Sequence, residues 1–277
     1  MSKQFLQVDG AKICYEVEGK GPYIFLVPGA NGSGDLFIPL RDILIKYFTI
    51  VIYYRRGYCD SELSVPQDYT KKLENDAEDL YTLSRSITNE KIIVFSISYS
   101  GAVLMRYLIK YPETILKLFL HEPFMNIKAL PEKEELQKFH YDGYRLYRKK
   151  GKRAAIEELT KRYFCENDRT LMTYREIPEI IDSTDYFFEH EFKVYPFLDI
   201  ELEKVEAQKD KLVLLHGVES INYFIYQMGA SVSKYLRIEY LPFPGGHAGF
   251  FTKPNQFAAD FIKLCQKHLL IKDQAKI

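Results

Sequence analysis

Ile92-Ile93-Val94-Phe95-Ser96-Ile97-Ser98-Tyr99-Ser100-Gly101-Ala102 is the stretch on which the fold turns. It opens as a continuous apolar run, the pattern of a buried parallel strand. It then breaks into small residues and resumes as Val103-Leu104-Met105-Arg106-Tyr107-Leu108-Ile109, with helical spacing up to Tyr111-Pro112. Strand, tight turn and helix are expected, with Ser98 at the turn. The nucleophile elbow G-x-S-x-G has this layout: it lifts a serine hydroxyl clear of a sheet, next to the first amides of a helix. Here Ser96 and Ser100 occupy the outer positions, and Gly101 follows. A serine-rich strand-to-helix loop without chemistry would look the same locally, so the rest of the chain has to decide.

On the N-terminal side, residues 3–9 and 12–18 read as two short strands around the turn Asp9-Gly10. Tyr23 to Val27 reads as a buried strand ending in the glycine-rich loop Pro28-Gly29-Ala30-Asn31-Gly32-Ser33-Gly34-Asp35. Such a loop lets backbone amides approach a ligand closely. Leu36 to Tyr47 has helical spacing, and Phe48 to Tyr54 is a second buried strand. The loop Arg55-Arg56-Gly57-Tyr58-Cys59-Asp60-Ser61 follows it. Residues 73–87 form an amphipathic helix with Leu73, Ala77, Leu80, Tyr81 and Ile87 on one face. On the C-terminal side, Leu116 to Leu120 is a strand ending in His121-Glu122-Pro123.

From 124 to 208 strand patterns mostly give way to charged, helix-periodic sequence, the mark of a helical insertion. Its clearest helix runs from Pro131 to Lys150, with Glu132, Glu134 and Glu135 near the start and Arg148, Lys149 and Lys150 in the last turn. These charges complement the helix dipole, which accounts for the basic cluster without a nucleic-acid partner. The alternation resumes with a strand at Lys211–Leu215 and a helix over 221–234. A strand at Arg237–Leu241 follows, then the loop Pro242-Phe243-Pro244-Gly245-Gly246-His247-Ala248-Gly249 and a closing helix over 254–269. The fold class is therefore α/β, a mostly parallel sheet with helices on both faces. The core is expected over residues 1–123 and 209–277, and the inserted helical cap over 124–208.

The chain has 277 residues, 47% of them hydrophobic, enough for one large core with an inserted subdomain. Lys+Arg and Asp+Glu are equal at 38 each, so no charge excess points to nucleic acid or an anionic membrane. Cys14, Cys59, Cys165 and Cys265 are too scattered for a zinc site or a disulfide framework. The N-terminus lacks the apolar core of a signal peptide. No apolar run reaches the ~18 residues of a membrane span. A cytoplasmic protein acting on a small molecule is expected. A second copy could pair through an inserted helix, although nothing in the sequence demands it.

Ligands of open parallel sheets bind beyond the carboxyl ends of the strands. Ser98, Glu122, His216, Glu219 and His247 all fall there. A serine hydroxyl needs a base to take its proton, and the base needs a carboxylate to orient it. His247, in a Gly-Gly-His-Ala-Gly loop, is the candidate base. His121 and His216 are expected to pack beneath the site, and Cys59, with no base of its own, to be packing. Two carboxylates compete as the acid. Glu122 ends the strand after the elbow helix, which places it beside the Ser98 strand. Glu219 lies in Gly217-Val218-Glu219-Ser220, one residue ahead of the usual acid position G-x-x-D, where Ser220 stands. Glu122 is favoured and Glu219 is the alternative. The oxyanion donors would be the backbone N–H groups of Ala30 and Tyr99.

Together these pieces resemble the α/β-hydrolase superfamily over essentially the whole chain. The resemblance is carried by Pro28-Gly29-Ala30-Asn31-Gly32, by Arg56-Gly57-Tyr58-Cys59-Asp60-Ser61 (like the family's R-G-x-G-x-S), by the elbow Ser96–Gly101, and by Gly245-Gly246-His247. It implies an eight-stranded, mostly parallel sheet with a cap after the sixth strand. Some members, lactone-cleaving ones included, take their acid from a glutamate after that strand, where Glu122 stands. The resulting expectation is a serine hydrolase of a carboxylic ester or lactone, acting through Ser98, His247 and Glu122 without metal or organic cofactor. Phe124, Met125, Phe139, Tyr144, Tyr147, Phe187 and Phe188 are the candidate pocket walls, which suggests an apolar or aromatic substrate. Thioester, peptide, carbon–carbon and perhydrolase activities share the same triad. The alternative is a non-catalytic, receptor-like binding protein on this fold with a vestigial triad.

Overall fold

The computed structural model describes residues 2–271, apart from 31, 126–130, 132, 174–177, 193, 196, 197, 199 and 269. Its strands are β1 (Gln4–Val8), β2 (Ala11–Gly19), β3 (Tyr23–Val27), β4 (Thr49–Tyr53), β5 (Glu62–Leu63), β6 (Ile92–Ile97), β7 (Ile115–His121), β8 (Leu212–Gly217) and β9 (Tyr240–Phe243). They lie in the order β1-β2-β4-β3-β6-β7-β8-β9, with the two-residue β5 beside β2. β4, β3, β6, β7, β8 and β9 run parallel, whereas β1 and β5 pair antiparallel with β2, and β2 with β4. The expected eight-stranded sheet is present, and the short β5 is an addition beside β2.

The helices are α1 (Ile38–Leu44), α2 (Lys72–Ile87), α3 (Ser100–Lys110), α4 (Lys133–Lys150), α5 (Lys152–Tyr163), α6 (Glu166–Thr173), α7 (Pro178–Phe187), α8 (Leu202–Glu206), α9 (Phe224–Leu236), α10 (Gly249–Thr252) and α11 (Pro254–Lys267). Successive side chains of a strand point to opposite faces, and each face of this sheet needs its own cover. Ile92 and Val94 of β6 pack with Leu80 of α2, Leu104 of α3 and Met228 of α9. Ile93, Phe95 and Ile97 pack on the other face with Leu40 of α1 and Phe257 and Phe261 of α11. Phe95 sits at the centre of this second core, with the rings of Phe37, Phe250, Phe257 and Phe261 at 5.5–6.2 Å. The continuous apolar run of the sequence is thus a strand buried on both faces.

Between β7 and β8 the described residues form α4 to α8 and a π-helical turn at Phe188–Phe192, with no strand among them. β7 is the sixth strand when the short β5 is left out of the count. Glu132 and Asn31, named from the sequence in the insertion's first helix and in the glycine-rich loop, lie outside the described residues. The last strand starts later than the sequence pattern predicts. α9 runs on to Leu236, and Arg237 adopts a left-handed conformation (φ 55°) as its C-cap, so the last strand starts at Tyr240 rather than Arg237. Glycine or asparagine usually marks such a cap, and neither is present to announce it.

Candidate active site

Ser98 follows the last residue of β6 and has φ 54°, the left-handed region that costs an L residue roughly 1–2 kcal/mol. The turn is pinned on both sides. The Ser98 N–H donates to the His121 carbonyl (3.2 Å), and the Ser98 carbonyl accepts from Gly101 (2.9 Å) and Phe124 (2.8 Å). The serines that replace the outer glycines of the elbow are accommodated differently. Ser100 donates its hydroxyl to the Ile97 carbonyl at 2.6 Å, and Ser96 is small enough to lie fully buried. The glycine the turn needs is Gly101, where a Cβ would come within 2.7 Å of Pro123.

Ile97 pairs with His121 across β6 and β7, so Glu122 leaves the sheet one strand away from Ser98. Neighbouring strands lie ~4.8 Å apart. Glu122 is also left-handed (φ 45°), and its N–H donates to the Leu215 carbonyl of β8 at 2.8 Å. Its carboxylate is fully buried and accepts two bonds: Gly217 N–H to Oε1 at 2.9 Å, and His247 Nδ1 to Oε2 at 2.8 Å. Burial opposes the charge. The His247 hydrogen bond and the neighbouring imidazoles outweigh it and hold the carboxyl below its usual range. An ionised carboxylate only accepts, so the His247 proton is on Nδ1 and Nε2 is left with a lone pair. Ser220, in the position usual for the acid, is fully buried beside this carboxylate without meeting hydrogen-bond geometry.

The alternative acid is not brought to His247. Glu219 forms an ion pair with Lys253, its side chain about one-third exposed (31%), and it accepts a weak 3.6 Å contact from the Cys165 thiol. The other histidines have separate tasks. His121 is buried under the site and donates Nε2–H to the Gly246 carbonyl at 3.2 Å; burial lowers its pKa to about 4. His216 bonds its neighbour Gly217 and packs on Tyr226 and Tyr240. Cys59 is half-buried, and burial raises its thiol pKa.

Ser98 and His247 line one cavity of about 180 Å³, together with Ala30 and Tyr99. Among the described residues, no main-chain acceptor takes the N–H of Ala30 or Tyr99. Leu36, Ile97, Leu159, Tyr163, Phe187 and Phe192 form the walls, and among the described residues no Asp, Glu, Lys or Arg lines it. Of the aromatic residues named from the sequence, only Phe187 is a wall. Phe124 stacks on Tyr99 (4.1 Å), and Tyr147 stacks on Phe188 (4.5 Å), away from the cavity.

Two contacts from the inserted helices leave no sign in the chain's residue pattern. His140 of α4 accepts the Tyr99 hydroxyl at Nε2 and donates Nδ1–H to the Leu136 carbonyl at 2.7 Å; burial lowers its pKa to about 3. Asp168 of α6, fully buried, accepts from the Ala248 N–H (2.8 Å) and the Thr252 hydroxyl (2.9 Å), which ties α6 to the His247 loop. Burial raises the pKa of its carboxyl. A lone His or Asp in a polar helix reads as solvated, so only the tertiary contact reveals either residue.

The family model described as alpha/beta hydrolase fold matches residues 22–159. An uncharacterized hydrolase of Bacillus subtilis, YraK, is 29% identical over 273 residues, 95% of this chain and 97% of its own. The crystal structure of the enol-lactonase from Burkholderia xenovorans superposes with a TM-score of 0.74 at 13% identity, covering 95% of this chain and 100% of that one. The thermophilic esterase from Thermogutta terrifontis gives 0.74 at 17% identity, covering 97% and 99%. Among the described residues no helix is long and apolar enough to cross a membrane. With the parallel sheet, the elbow turn and these relatives in agreement, the chain has the α/β-hydrolase fold and is a hydrolase.

Proposed function

We propose that the protein cleaves small, uncharged esters or lactones of apolar or aromatic carboxylic acids through a Ser98–His247–Glu122 triad. Ser98 Oγ attacks the carbonyl carbon while His247 Nε2 takes its proton. Glu122 keeps the imidazole in the tautomer that leaves Nε2 free, and it stabilises the imidazolium that forms. The N–H groups of Ala30 and Tyr99 hold the oxyanion; Tyr99 N–H also lies at the positive end of α3. His247 then protonates the leaving alkoxide, and a water activated by the same nitrogen releases the acid from Ser98. The inserted helices act as a cap, with Leu159, Tyr163, Phe187 and Phe192 as its apolar contribution to the acyl pocket.

The observation that carries this reading is the 2.8 Å bond from His247 Nδ1 to a fully buried carboxylate, in a cavity that also holds the strained Ser98. The substrate class follows from the walls. A charged acyl group would be desolvated there without a partner, at a cost of several kcal/mol. The volume is small against the ~300–1,000 Å³ of pockets for drug-sized ligands. The enol-lactonase and the esterase that share the fold are named for bonds of this kind. A panel of activated esters tests the proposal: acetyl, butyryl, benzoyl, dodecanoyl and hemisuccinyl, with an aromatic lactone and a thioester alongside. Short neutral esters or the lactone should turn over, the anionic hemisuccinate at least 100-fold more slowly, and Ser98→Ala at background. Turnover of the thioester alone, or of none of these, would overturn it.

A further inference from the structure

Four ionised side chains lie together in the interior, away from the cavity walls. Arg55 follows β4, Lys72 and Asp76 are on α2, and Glu191 is in the π-helical turn of the insertion; none is more than 2% exposed. Arg55 Nη1 and Nη2 meet Glu191 Oε1 and Oε2 at 2.7 and 2.8 Å, a two-pronged pair. Lys72 Nζ reaches Asp76 at 2.7 Å and Glu191 at 3.0 Å, and Arg55 Nη1 also reaches Asp76 at 3.1 Å. Tyr195, also in the insertion, donates its hydroxyl to Asp76 at 2.7 Å. The charges cancel, two against two. Apolar residues of the same size would fill this space at a lower desolvation cost, so stability does not account for the cluster.

One further bond points to a use. Arg55 Nη2 donates to the Gly29 carbonyl at 2.7 Å, and the Arg55 main-chain N–H donates to the Gly32 carbonyl at 3.1 Å. Arg55 therefore grips both ends of the turn that contains Ala30. The Gly29 carbonyl and the Ala30 N–H belong to one peptide unit. In a planar trans peptide they point in opposite directions. With its oxygen held inward by the guanidinium and by the Gly32 N–H (3.1 Å), this peptide turns its N–H the other way, to the side where Ala30 lines the cavity. Glu191 fixes the guanidinium from the insertion, so the brace is complete only while the inserted helices are seated.

We infer that Arg55, clamped by Glu191, is a positioning residue that sets the Gly29–Ala30 peptide for oxyanion binding and makes that setting depend on docking of the inserted helices. The inference rests on the serine-hydrolase reading above. The test uses the double variant Arg55→Met/Glu191→Leu, which removes one charge of each sign and leaves the Lys72–Asp76 pair intact, and the single variant Arg55→Lys. A lysine keeps the charge, but its point-like ammonium cannot serve both the Glu191 fork and the Gly29 carbonyl. For each variant, melting temperature, kcat and KM on a short neutral ester, and the rate of fluorophosphonate labelling would be measured. The double variant should melt near the wild type and keep KM within about threefold, while kcat and labelling fall about 10²–10³-fold, as when an oxyanion donor is lost. Arg55→Lys should show the same split, which covers the case of a double variant that does not fold. Wild-type kcat in either folded variant would overturn the inference and leave the triad standing. A wild type that fails to label at Ser98 would instead sink the triad, and the brace with it.

Discussion

Replacing Glu122 by Gln separates the triad from every other role this position could have. The carboxylate accepts two bonds, from Gly217 N–H at 2.9 Å and His247 Nδ1 at 2.8 Å. An amide offers one oxygen and one NH2 group. If the oxygen stays on Gly217, the NH2 group faces Nδ1, which can accept only by giving up its proton. The proton then moves to Nε2, and the lone pair that should receive the Ser98 proton is lost. A carboxylate-to-amide change of this kind in a serine triad lowers kcat about 10⁴-fold, or about 5 kcal/mol of transition-state stabilisation. Glu219→Gln is the matched control. It breaks a partly exposed ion pair with Lys253, an interaction of about 0–1 kcal/mol with no link to the imidazole. Initial rates on the best ester, at a pH where wild-type activity is maximal, give the comparison. A fall of 10³-fold or more in Glu122→Gln, against less than twofold in Glu219→Gln, is expected. A Glu122→Gln enzyme within tenfold of the wild type, or an equal loss in Glu219→Gln, would refute the assignment of the acid.

Three further outcomes follow from the packing and the charges. Phe95→Ala should destabilise the fold by about 3–5 kcal/mol in urea titrations, since it empties the centre of the α1–α11 core. Phe187→Ala should enlarge the acyl pocket and shift the preferred ester to a longer or bulkier acyl chain, visible as a changed ratio of kcat/KM across the panel. His140 is neutral when folded, its pKa lowered to about 3 by burial against an ordinary 6.5, so the unfolded chain binds one more proton between pH 6 and 5. Its contribution to stability is present above pH 6.5 and is lost as pH falls towards 3. His140→Gln, which keeps an acceptor for Tyr99, should therefore lower the slope of unfolding free energy against pH in that window by about 1.4 kcal/mol per pH unit, whatever other groups contribute.

The sheet, Ser98 and His247 could be read from the chain because each leaves a local mark. β6 is buried on both faces and shows it as an unbroken apolar run. Ser98 sits where that run stops, and His247 sits in the glycine-rich loop after the last strand. Glu122 could be placed only by adding topology: a right-handed crossover makes β7 the neighbour of β6, and the Ile97–His121 register follows. The charge cluster left no comparable trace. Lys72 and Asp76 are spaced like any solvent-facing i,i+4 pair on an amphipathic helix, and both are buried. Arg55 and Glu191 are 136 residues apart, and neither has a charge or periodicity that sets it off from its neighbours. The cavity walls leave no distinct mark for a related reason. Phe139, Tyr144, Tyr147 and Phe188 are aromatic residues of helices that pack on one another, and sequence alone cannot tell such a face from one turned to a ligand.

Whether Ser98 is a working nucleophile is decided by intact-mass analysis after exposure to a fluorophosphonate. A single phosphonyl adduct is expected on the folded wild type, mapped to the Ser98 peptide and absent from Ser98→Ala. A folded wild type that takes no adduct, or an adduct that persists in Ser98→Ala, would contradict the role of Ser98 as nucleophile.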